Sequence, residues 1–321
     1  MRVLNGVPNY EVTEANFECI RIALNYIGEK FTPEYFHGIA GTAFRIGGIC
    51  PCAPTCTLAM LPGDLIKTLG YDCEIIPYDD TDKDGSLTRL TEAVRESIDG
   101  GIPAIVWNAF TQCEYDVVTG YDENDKVFYG RGSHVGNKGD CAKRPWDRSL
   151  EQAGLAGLTA LIIRRGTGVF DKKTAETAAL KEAVRHANDK ENVDKLGEPG
   201  WVFLQGKAAY KRWADDFSKP DYKRGAGDAY CAGIYSDCHA LAGPFLRVIA
   251  SAYPHISTEL NKAAKYFDGE AENLKTVNPL ITWDSPETSA ERSEKAAPLL
   301  REAARCYGAG IDILSEAIVN L

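Results

Sequence analysis

The chain has 321 residues, 44 % of them apolar, enough for two domains that each bury a core. Its net charge of −10 and pI near 5.1 work against nucleic acid as a partner, because phosphate binding needs clustered Lys and Arg. Residues 1–6 show no signal-peptide run and no segment reaches ~18 uninterrupted apolar residues, so a cytoplasmic protein without a membrane partner is expected. Ten irregularly spaced cysteines in so long a chain predict mostly free thiols.

In chain order, residues 16–28 form the first predicted element. Ile20, Ala23, Leu24 and Ile27 recur at helical spacing, with Asn16 as the expected N-cap and Gly28 as the expected terminator. Cys19 then falls in the first turn, where unpaired backbone N–H groups and the helix dipole favour a thiolate; the plain alternative is a small buried hydrophobe. Residues 38–43 lack a preceding strand and the Gly-x-Gly-x-x-Gly spacing, so no nucleotide cofactor is expected. Cys50, Cys52 and Cys56 alternate with Pro51 and Pro54 and have no matching second pair, which favours a rigid loop over a zinc site. Residues 71–78 and 158–164 read as strands and 86–98 as an amphipathic helix. Between them, residues 101–107, 113–122 and 126–131 read as three strands of an antiparallel sheet.

Beyond residues 166–171 strand alternation gives way to helical spacing. Residues 174–190 predict a charged helix; Tyr235, Cys238, Ala242, Phe245 and Ile249 form one stripe, and Leu300, Ala303, Tyr307, Ile311, Leu314 and Ile318 another. Residues 276–288 read as a loop between the last helices. The expected fold class is α+β, with a mixed domain over 1–168 and an all-α domain over 169–321.

The pattern Cys19, three residues, Ala23-Leu24, one residue, Tyr26-Ile27-Gly28 resembles the nucleophile helix of papain-like bacterial processing peptidases. Together with residues 38–45, Pro103, Glu114 and Gly120-Tyr121-Asp122, and with residues 206–213 as part of a helical extension, the chain is more similar to the family of the butirosin biosynthesis protein H N-terminal domain. The resemblance implies a papain-like sheet domain and the activity of the family's namesake, transfer of an acyl group from a carrier-protein thioester to an aminoglycoside amine. It also implies Phe44 and Arg45 at the substrate pocket. The departures are specific. Thr13 stands where the peptidases carry an oxyanion-hole Gln, Glu114 where they carry the acid/base His, and Gly130-Arg131 where an Asp or Asn is expected.

The expected site follows. Cys19 is the candidate nucleophile for acyl transfer or amide chemistry, with Glu114 and Asp116, two residues apart, as carboxylates that orient or deprotonate an amine. Asn16, Phe44, Arg45, Cys50 and Tyr121 are the candidate substrate contacts. His239 is a reserve base if its helix covers the cleft, against the plain reading of a hydrogen-bonded core histidine; His134, in a Gly-rich loop, is another. The partners expected are a small-molecule substrate and a carrier-protein or coenzyme A thioester donor, with no cofactor; a homo-oligomer is compatible with the sequence. The competing hypothesis is a papain-fold protein without catalysis that holds a small cation, amine or peptide in an acidic pocket.

Overall fold

The computed structural model describes residues 1–47, 61–136, 141–189, 204–223, 226–286 and 289–321. Cys50, Cys52 and Cys56 lie outside them. In chain order the elements are β1 (Arg2–Val3), α1 (Ala15–Tyr26), α2 (Pro33–Ile39), α3 (Pro62–Thr68), β2 (Asp72–Pro77), α4 (Lys83–Asp99), β3 (Ala104–Trp107), β4 (Tyr115–Asp122), β5 (Val127–Arg131), β6 (Ala142–Pro145), α5 (Ala153–Ala156) and β7 (Leu158–Arg164), then α6 (Lys172–Ala187), α7 (Gly206–Phe217), α8 (Ala226–His239), α9 (Ala242–Ala250), α10 (Ser257–Val277) and α11 (Ala290–Ala317). The fold class is α+β.

The chain forms two compact units: Met1–Pro33 with Leu61–Asp171, and Glu34–Met60 with Lys172–Leu321. The first is therefore not the continuous stretch 1–168 that the sequence suggested.

The first unit is built on one antiparallel sheet in the order β2-β7-β3-β4-β5-β6, with β1 also paired to β4. The three strands expected at its centre are present, Ala104 facing Val118 and Trp107 facing Tyr115 across β3 and β4. The middle strand runs to Asp122 as expected, its last residues paired to β5 through Tyr121↔Phe128. β4 is an interior strand between β3 and β5, with α1 and α4 both packed on it, and its central residues are buried whichever face they point to. α4 starts at Asp82, whose carboxylate accepts from the Gly85 amide at 2.9 Å, and buries Leu90, Val94 and Ile98 with Val106, Phe110, Val118 and Phe128 of the sheet side. α1 packs on β3 and β4.

The second unit is helical and encloses a stretch of chain from the first half of the sequence. Gly38 of α2 lies so close to Phe245 of α9 that a Cβ there would stand 2.2 Å from the ring, which ties α2 to this unit. The next residues are held by side chains of four helical positions. The Tyr307 hydroxyl donates to the Phe44 carbonyl at 2.9 Å, His239 Nε2 lies 2.7 Å from the Arg45 carbonyl, His186 Nε2 lies 3.0 and 2.9 Å from the Ile46 amide and carbonyl, and the Tyr235 hydroxyl lies 2.8 Å from the Gly47 amide and 2.5 Å from its carbonyl. These backbone groups are away from water and need partners; the bundle supplies them from rings rather than from a ladder.

Both predicted stripes are buried, apart from half-buried Ile318 at the end of α11. The stripe through Tyr235 and Ala242 is split, however: α8 ends at His239 and α9 begins at Ala242, so these residues do not lie on one helix face. α10 continues through Val277, so the predicted loop begins later than residue 276. No helix among the described residues is long and apolar enough to cross a membrane.

Candidate functional site

Cys19 lies on α1, but the helix begins earlier than the sequence suggested. Glu14, not Asn16, is the N-cap: its carboxylate accepts from the Phe17 amide at 3.0 Å. Capping preference for Ser, Thr, Asp and Asn points to Asn16 and hides this glutamate. Cys19 is consequently the fifth helical residue, past the turn whose N–H groups are unpaired. Gly28, with φ +116°, follows the helix end as expected.

The Cys19 thiol is fully buried and donates to the Asn16 carbonyl at 3.3 Å. Burial pushes its pKa well above the ordinary thiol value, and the carboxylates of Glu14, Asp116 and Glu18 push it further in the same direction. The first-turn thiolate expected from sequence is therefore disfavoured in the unliganded protein. Glu18 has a counter-ion: Arg21 Nε and Nη2 reach its two carboxylate oxygens at 2.8 and 2.6 Å, and Nη2 also meets Glu11 at 2.7 Å. The i, i+3 spacing of Glu18 and Arg21 was the available signal for this pair.

The two carboxylates near β4 have different settings. Glu114 precedes the strand and is 4 % exposed, and its backbone carbonyl accepts from the Asn108 amide at 2.7 Å. Asp116 is fully buried within β4, where Oδ2 accepts from the Phe110 and Thr111 amides at 2.6 and 2.9 Å and so anchors the β3–β4 loop. Burial raises its pKa to about 7, against the lowering effect of those amides, of the Thr111 hydroxyl and of Arg148. Near neutral pH it exchanges a proton readily. Burial raises the Tyr10 phenol well above its ordinary value, and Cys19, Asp116, Glu18 and Glu114 add to the effect; its hydroxyl donates to the Tyr115 carbonyl at 3.1 Å. Tyr10, Glu14 and Glu18 are members of this cluster that the sequence reading did not single out.

Asn16 occupies the second helical position, three residues before Cys19 and on the same face. It is 1 % exposed, and its Oδ1 has no hydrogen-bond partner. A buried acceptor without a donor is uncommon and asks for an explanation.

The remaining candidates go elsewhere. Phe44 packs edge-on against Phe245 and Phe267, and Arg45 is 1 % exposed; both are core residues of the helical unit. Tyr121 is also a core residue, its hydroxyl donating to Asp99 at 3.0 Å near the end of β4 distant in sequence from Glu114. His239 belongs to the helical unit with both ring nitrogens engaged, Nδ1 at 2.6 Å from Glu270 Oε1 and Nε2 at the Arg45 carbonyl, the arrangement of the core histidine read as the plain alternative. His134 is exposed, and it is the histidine that the first unit contains. Arg131, in the place of the expected Asp or Asn, reaches the Cys141 sulfur at 3.4 Å. Cys19, Cys73, Cys113, Cys141, Cys231, Cys238 and Cys306 are free thiols.

Comparison with protein-family models finds no match, and comparison with curated proteins finds none.

Proposed function

We propose that the first unit binds a small cationic, N–H-donating group, an amine in the simplest case, at the buried acidic cluster around Cys19. The carrying observation is the Asn16 Oδ1 acceptor, buried and without a donor beside a thiol whose surrounding charges are carboxylates. An ammonium group donates hydrogen bonds and accepts none, so it complements this set in both charge and hydrogen bonding. Of the two hypotheses raised by the sequence, this setting favours the binding protein over a standing cysteine nucleophile, because a nucleophile needs a depressed thiol pKa and Cys19 has an elevated one.

Cysteine-dependent acyl or amide chemistry is the second reading. It draws support from the packing of α1 on β4 and from Asp116, whose pKa of about 7 suits proton exchange with an acceptor amine. Kinship with the butirosin biosynthesis protein H N-terminal family belongs to the same proposal.

The test is titration calorimetry of the full chain with putrescine, against potassium chloride at equal ionic strength. The reading predicts saturable binding in the wild type and in Cys19→Ala, weakened in Glu14→Gln. It also predicts weaker binding as pH falls through about 7, because Asp116 loses its charge by protonation. No saturable heat for the wild type at millimolar amine would sink it.

A further inference from the structure

We propose that the cation held by the acidic cluster also controls Cys19, raising the reactive thiolate fraction of a protected thiol while the site is occupied. This rests on the amine-binding reading above and adds a regulatory role to the same site.

The geometry supplies two independent grounds. The thiol is sealed, fully buried with its hydrogen directed to the Asn16 carbonyl at 3.3 Å. The groups acting on it are Glu14 and Glu18 from α1, the latter paired with Arg21, Asp116 and Tyr115 from β4, and Tyr10 from the segment before α1; Glu114 acts on the same two tyrosines. Separately, the donorless Asn16 Oδ1 on the Cys19 face of α1 marks where a ligand N–H would sit. A ligand N–H bound there would bring its charge within one helical turn of Cys19.

An opposite charge within about 4–6 Å of an ionisable group favours its charged form by about 1–3 pKa units. With the cation in place the S–H bond breaks heterolytically, the electron pair stays on sulfur, and the proton passes to solvent water. By linkage the effect is reciprocal: each unit by which the cation lowers the thiol pKa corresponds to about tenfold tighter binding of the cation to the thiolate form. Acceptor before thiolate is then the order of events, and the unliganded protein keeps Cys19 out of side reactions.

The experiment uses the full chain, iodoacetamide near pH 8 and peptide mapping, with putrescine or with potassium chloride at matched ionic strength. Cys141, half-buried and free, is the internal reference. The expected result is alkylation of Cys19 at least about tenfold faster with putrescine, Cys141 being unchanged, since well below its pKa the thiolate fraction rises tenfold per unit. In Glu14→Gln the ligand-free rate should rise and the gain from putrescine should shrink; Asp116→Asn gives the same reading if the first variant does not fold. Putrescine binding by calorimetry without faster alkylation overturns this inference and leaves the binding reading standing. Absence of binding overturns both. An undiminished gain in the carboxylate variants also overturns it, because it would mark steric opening rather than charge.

Discussion

Acidification should weaken the helical unit through His186. The ring is 1 % exposed, and Nε2 lies against the Ile46 backbone. Burial lowers its pKa from 6.5 to about 4, and Arg45, Arg185 and His239 act in the same direction, against the raising effect of the Ile46 hydrogen bond. The unfolded chain therefore binds a proton at pH values where the folded chain does not. His186 makes no pH-dependent difference above about 6.5; as pH falls from there to about 4, stability is lost, and below about 4 the loss is complete. The interval is 6.5 − 4 = 2.5 units, and at about 1.4 kcal/mol per unit the full loss is roughly 3–4 kcal/mol. The assay is urea unfolding followed by circular dichroism at several pH values between 7.5 and 4, for the wild type and His186→Gln. Gln keeps a neutral hydrogen-bonding end near the Ile46 backbone but has no proton to take up. The variant should be less stable than wild type at pH 7.5 and lose less on acidification, so the gap between the two closes as pH falls. A gap independent of pH would refute the argument, because it would mean that His186 titrates alike in folded and unfolded chains.

Gly38→Ala should destabilise the helical unit by about 1–3 kcal/mol, since the new methyl would overlap the Phe245 ring; differential scanning calorimetry reads the loss, and Phe245→Leu in the same chain should recover part of it. Glu270→Ala removes the partner of both His239 Nδ1 and the Tyr210 hydroxyl inside a closed core, at an expected cost of about 2 kcal/mol or more. A change within experimental error would show that water replaces the carboxylate.

Much of the architecture was legible in the residues. The apolar runs and turn signals in residues 101–131 and the period-3.6 stripe from Leu300 to Leu314 both mark buried elements, and burial is what composition encodes locally. Within the candidate site, the residues near Cys19 along α1 and the carboxylates at β4 were also legible, because they lie a few positions apart. What remained hidden depends on the environment of the charges. A cysteine near a helix start reads as an activated thiol until the carboxylates of Glu14, Glu18 and Asp116 and its complete burial are counted, and those come together only by packing. Capping by Glu14 was hidden for a related reason: a helix start is fixed by which side chain reaches the free amide, here Phe17, and several neighbours could have done so.

Sequence alone thus determined the fold class, the three central strands, the helix around Cys19, the stripe of the last helix and the change from mixed to helical structure, since each follows from local periodicity and turn chemistry. Tertiary structure decided the fate of Phe44, Arg45 and His239. The chain from Phe44 to Gly47 is polar backbone surrounded by Tyr235, His186, His239 and Tyr307, residues 139 or more positions away, and no local pattern records that pairing. Hydrogen bonds to backbone are made with whatever residue type stands there, so they leave no signature in the segment they hold; only folding, which brings the rings to it, reveals them.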